Sequence, residues 1–154
     1  MDLSMILKPE AVRVVTAASS KKRLLQEFGD LAESAYGLNA PAVVEALIER
    51  ETLGPTGVGH GVALPHARFD GLDNVVGAFI LLEKPVDFNA VDRQPIDIAF
   101  ALFAPEDAGV EHLKALAKVS RRLRETSICT KLRANPTAST LFTILTESDK
   151  VQAA

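Results

Sequence analysis

Apolar positions recur with a helical period early in the chain. Leu24, Leu25, Phe28, Leu31, Ala32 and Ala35 fall at i, i+1, i+4, i+7, i+8 and i+11, the stripe of an amphipathic helix. Ser19 or Ser20 offers the N-cap oxygen, and Gly37 ends the pattern. A second helix opens near Asn39, with Pro41 in its first turn, where a missing N–H leaves no bond unmade. Its buried face carries Val43, Val44, Leu47 and Ile48, and Gly54-Pro55 stops it. Ahead of both helices, residues 12–15 read as a short strand.

The pattern then changes. Residues 61–64 form a short apolar run, and residues 75–82 and 96–104 form long ones, the last broken by Asp97. Unbroken runs of this kind suit strands covered on both faces. Helical spacing returns near Gly109, with Leu113, Leu116, Ala117, Ser120 and Leu123 on one face. Ser127 is placed to cap a short helix carrying Ile128 and Leu132, and Asn135-Pro136 opens a last one with Leu141, Phe142 and Leu145. The order is strand, two helices, several strands, three helices. It predicts an α/β domain with a mixed central β-sheet flanked by helices on both sides. With no linker or repeat in 154 residues, a single domain over 1–154 is expected.

Composition narrows the function. With 47% hydrophobic and 24% charged residues the chain is ordinary for a globular protein. A formal net charge of −3 lacks the basic excess of a nucleic-acid binder. The longest apolar run has eight residues, against about 20 for a bilayer span. The N-terminus has no basic-then-apolar signal pattern, so a cytoplasmic protein is expected. A lone cysteine, Cys129, excludes a disulfide within the chain and reads as a small core residue. His60 and His66 lie six apart with no cysteine near, so no metal site is expected. Lys21-Lys22-Arg23 and Arg121-Arg122-Arg124 read as solvated helix faces, or as docking patches for an anion or acidic partner.

The three histidines carry the candidate chemistry. His66 follows a glycine-rich stretch, residues 54–59, whose backbone can approach an anion closely. Beside the rigid Pro65, at the mouth of a strand, it is a fixed and accessible imidazole. A ring that is mostly neutral at pH 7 keeps one lone pair and can attack phosphorus. His112 sits in the first turn of its helix, where free N–H groups attract phosphate. Arg50, near the end of the second helix, adds a third positive group. Phosphoryl transfer needs little more than a nucleophile and well-placed donors. Each feature alone has an ordinary structural reading. The glycine spacing fits neither a dinucleotide loop nor a P-loop.

Taken together the motifs resemble a known family. Gly54-Pro55-Thr56-Gly57-Val58-Gly59-His60-Gly61-Val62-Ala63-Leu64-Pro65-His66-Ala67 is similar to the signature of the fructose/mannitol-type IIA component (EIIA type-2) of the phosphoenolpyruvate-dependent phosphotransferase system. Residues 85–97 and 111–117 are similar to its second and third signatures. The resemblance spans nearly the whole chain, and the lack of an attached IIB or IIC domain points to the nitrogen-related regulatory branch. It implies the family's α/β sandwich, with His66 as the phosphorylated histidine, His112 as phosphoryl stabiliser and Arg50 as active-site arginine. It implies HPr or its nitrogen-branch paralogue as donor, regulated target proteins or a IIB component as partner, and no cofactor. Thr56 matches a polar position that could orient the His66 ring. His60 stands where relatives carry another polar residue, so it and His112 compete for the phosphate-binding role. Leu64 and Phe69, flanking His66, are candidates for an apolar partner rim, and Arg68 could meet an acidic group. A sugar-specific IIA shares the same site, and a relative that binds partners without being phosphorylated is a third possibility.

Overall fold

The computed structural model describes residues 2–147. The ends of the expected 1–154 domain, residue 1 and residues 148–154, lie outside the described residues. After a 3-10 turn (Leu3–Met5) come β1 (Leu7–Val15), α1 (Lys21–Tyr36) and α2 (Ala40–Thr52). Five strands follow: β2 (Gly57–Gly59), β3 (Val62–Ala63), β4 (His66–Phe69), β5 (Val76–Val86) and β6 (Ile96–Pro105). The described chain ends in α3 (Val110–Arg124), α4 (Thr126–Ala134) and α5 (Ala138–Thr146).

The strands form one mixed sheet in the order β1-β5-β6-β3-β2, with β4 also on β6. β5 and β6 run antiparallel at its centre and are buried on both faces along most of their length, as their unbroken apolar runs require. α1 and α2 pack on each other on one side, while α3, α4 and α5 form a second group. The α/β sandwich expected from the sequence is therefore the observed fold. Among the described residues no helix is long and apolar enough to cross a membrane.

Local chemistry sets the element ends. Ser20 accepts the Arg23 N–H at the start of α1, and Gly37 ends that helix in the left-handed region (φ 70). Asn39 accepts the Ala42 N–H at the start of α2. β1 begins at Leu7, earlier than the expected residue 12. Its register shifts between Leu7 and Val12, and Pro9 is tolerated there because β1 is an edge strand. α4 starts at Thr126 with Glu125 as N-cap, so Ser127 lies inside the helix rather than capping it.

α3 turns a different face inward from the one its periodicity suggested. Leu113 is 64% exposed and Ala117 is exposed, while His112, Ala115, Val119, Arg122 and Leu123 are buried. Two polar residues in the buried stripe, His112 and Arg122, disguise it. Arg122 Nη2 donates to the Ile144 carbonyl at 2.7 Å, so that basic cluster is not wholly solvated. Cys129 is buried, and its thiol donates to the Leu123 carbonyl. Burial pushes the thiol pKa up, as suits a core residue.

Candidate functional site

The glycine-rich stretch after α2 is a hairpin hung on the edge of the sheet. β2 and β3 pair antiparallel, with Gly59 opposite Val62. The two residues between them, His60 and Gly61, both have positive φ (57 and 78), the backbone that two-residue hairpins prefer. Histidine is among the residues that tolerate this region, which gives His60 a structural reason to be there. Its N–H donates to Asp92 and its carbonyl accepts from Arg133, which also holds Asp97 through two 2.9 Å bonds. The second signature region thus fastens the loop. Gly57 is required for a different, steric reason, since a Cβ there would sit 2.7 Å from the Ala90 Cβ.

β3 and β4 are one interrupted strand. Val62 lies opposite Ile98 and His66 opposite Leu102, the same offset on both sides of the break. Pro65 has no N–H to give the ladder, although its carbonyl accepts from Leu102. His66 is the first residue of β4. Leu64 directs its N–H to the Thr56 carbonyl at 2.9 Å, and its own carbonyl faces Nδ1 of His66 at 2.8 Å. A carbonyl oxygen can only accept, so Nδ1 carries the proton and the neutral ring keeps its lone pair on Nε2. Burial lowers the His66 pKa from its ordinary value, and the Arg50 charge adds to this, opposed by the Leu64 bond and Glu51. The ring is neutral at physiological pH.

His112, in the first turn of α3, meets His66 edge to face with ring centroids 5.6 Å apart. It is 6% exposed, and its Nε2 has no hydrogen-bond partner among the described residues. Burial, then the neighbouring His66 and Arg68, hold its pKa down. Arg50, in the last turn of α2, donates from Nη1 to the Gly54 carbonyl at 3.0 Å. The fold thus brings His66, His112 and Arg50 together, with Arg68 close enough for its charge to act on His112. An unprotonated nucleophile between cationic and imidazole groups suits an anionic electrophile such as a phosphoryl group. Among the described residues no cluster of three His, Cys, Asp or Glu side chains could hold a metal ion.

Three expectations are corrected. Leu64 and Phe69 are 4% and 8% exposed, packed into the core by the strand that carries His66, and cannot form a partner rim. Among the described residues the exposed large apolar side chains are instead Met5, Leu53, Val58, Val91, Val110 and Leu113. Thr56 does not orient the His66 ring directly, because its hydroxyl donates to Glu51. Nor is Lys21 a solvated helix residue: its Nζ pairs with Glu51 at 2.7 Å and lies over the Phe88 ring. The sequence reading missed Glu51 altogether. A signal existed, because a carboxylate in the last turn of α2 opposes the helix dipole and needs a cation elsewhere.

A six-stranded mixed sheet with helices on both faces carries the paired His66 and His112 rings, an α/β sandwich of a specific kind. The family described as "Phosphoenolpyruvate-dependent sugar phosphotransferase system, EIIA 2" matches residues 5–148. The chain is 43% identical to the "Nitrogen regulatory protein" of Bradyrhizobium diazoefficiens over 94% of this chain and 95% of the relative. The crystal structure of nitrogen regulatory protein IIA-Ntr from Neisseria meningitidis superposes with a TM-score of 0.85 at 39% identity, covering 94% of this chain and 99% of that one. The IIA mannitol structure from Escherichia coli shares the fold at a TM-score of 0.75 and 20% identity, over 90% of this chain and 97% of that one. The chain belongs to the EIIA type-2 family of the phosphotransferase system, and within it is similar to the nitrogen regulatory proteins.

Proposed function

We propose that this protein is a phosphoryl carrier that takes phosphate on Nε2 of His66 from a phosphohistidine of HPr or its nitrogen-branch counterpart. The observation that carries the reading is the bond between Nδ1 of His66 and the Leu64 carbonyl, which leaves the Nε2 lone pair free. That lone pair attacks phosphorus as the donor's N–P bond breaks, and the donor imidazole, already protonated on its other nitrogen, keeps the bonding electrons and leaves neutral. No proton moves: the His66 ring becomes a phosphoimidazolium whose Nδ1–H stays on Leu64. Arg50 and His112 face the charge on the phosphoryl oxygens. The unpartnered Nε2 of His112 is a group that such an oxygen could satisfy.

Phosphorylation places about −1.5 to −2 charge on the phosphoryl oxygens, offset in part by the positive phosphoimidazolium ring. Set among Arg50, Arg68 and His112, it changes which surfaces can dock there. Relatives named nitrogen regulatory proteins support a regulatory role, and the charge change at His66 supplies the switch: binding of target proteins would depend on the phosphorylation state. Arg68, exposed and close enough to act on His112, supplies a cation where an acidic partner group could dock, and the exposed Leu113 on α3 supplies an apolar contact. Incubation with phosphoenolpyruvate, enzyme I and an HPr-type protein should add one acid-labile phosphoryl group to the wild type and none to His66→Ala.

A further inference from the structure

We propose that Glu51 is a positioning residue that holds the nucleophile of the site, an inference that rests on His66 being the phosphoryl acceptor. The Glu51 side chain is 6% exposed and fully engaged. Oε2 takes Lys21 Nζ at 2.7 Å and the Thr56 N–H at 3.2 Å, while Oε1 takes the Thr56 hydroxyl. From there a continuous chain of bonds reaches the ring. The Thr56 carbonyl accepts from Leu64 N–H at 2.9 Å, and the Leu64 carbonyl holds Nδ1 of His66 at 2.8 Å.

The residue before it works on the same turn. Arg50 Nη1 donates to the carbonyl of Gly54, two residues ahead of Thr56. The last turn of α2 therefore grips residues 54–56 twice, and that grip fixes where the guanidinium and the imidazole stand relative to each other. Lys21 pairs with the buried carboxylate, and its position over the Phe88 ring ties the start of α1 to the second signature region. Freed from Glu51, the Thr56 turn can shift, and Leu64 no longer selects one tautomer of His66. Small misplacements of reacting groups slow transfer steeply.

The test is Glu51→Gln, which keeps the shape but loses the charge and one acceptor, with Thr56→Val as a second variant and Thr56→Ser as the hydroxyl rescue. The imidazole 15N spectrum of wild type should report one tautomer, Nδ1–H. Glu51→Gln and Thr56→Val should show a mixture, with phosphorylation slower by about tenfold or more. Thr56→Ser should return to the wild-type pattern. In Glu51→Gln the His66 titration should move down, because the Glu51 charge raises it. If Glu51→Gln fails to fold, Thr56→Val and its serine rescue decide on their own. Folded variants with the wild-type tautomer, titration and rate overturn the proposal. A wild type that takes no phosphoryl group overturns the carrier reading instead, while the tautomer still reports on positioning.

Discussion

The rings of His66 and His112 stand edge to face, with centroids 5.6 Å apart and planes at 71°. Two imidazoles so close resist being protonated together, since each charge disfavours the other. The His112 pKa is lowered by burial first and by His66 next, with Arg68 adding to both. Removing the His66 ring should therefore raise the His112 midpoint. An NMR titration of His66→Ala checks this, and an unmoved His112 resonance would show that the two rings titrate independently.

Arg50 acts on the same ring from α2. Its charge lowers the His66 pKa, and in the proposed transfer it would face the phosphoryl oxygens. Arg50→Gln should raise the His66 midpoint and slow phosphorylation on the order of 10²-fold, the usual loss when one charge-stabilising donor is removed. Rapid-quench measurement with a phosphorylated donor gives the rate. A raised midpoint with an unchanged rate would leave Arg50 an electrostatic neighbour only.

Stability should depend on pH through both histidines. Their folded-state pKa values lie below the ordinary value of about 6.5. Below that pH the unfolded chain binds more protons than the folded one, so acidification favours unfolding. Stability should thus be level above about pH 7 and fall as pH drops through 6.5, until the native rings also protonate. Urea midpoints across this range measure the slope, and the His66→Ala, His112→Ala double variant should flatten it. A slope unchanged in the double variant would assign it to other groups.

The corrected partner rim separates two leucines. Leu64→Ala removes a buried side chain and should cost about 2–5 kcal/mol. Leu113→Ser, on the exposed face of α3, should change stability by no more than about 0.5 kcal/mol yet weaken docking of the phosphoryl donor. Thermal unfolding and donor affinity together distinguish them. Full donor affinity in Leu113→Ser would remove α3 from the docking surface.

What the sequence revealed and what it hid have physical causes. β5 and β6 were legible because both faces are buried, which leaves long apolar runs. α1 and α2 were legible because their caps are local: Ser20, Gly37 and Asn39 act within a few residues. β4 was not, because His66-Ala67-Arg68-Phe69 has no strand pattern of its own and exists by pairing with β6, distant in sequence. The inward face of α3 was hidden by His112 and Arg122. His66, His112 and Arg50 stood out by residue type and motif. Glu51 did not, since its partners Lys21 and Thr56 meet it only after α1, α2 and the hairpin have packed.

The most direct test of the account is the intact mass of the protein after incubation with phosphoenolpyruvate, enzyme I and an HPr-type donor, followed by 15N or 31P assignment of the modified nitrogen. One phosphoryl group on Nε2 of His66, absent from His66→Ala, is the predicted result. Labelling that persists in His66→Ala, or attachment at Nδ1, would contradict it.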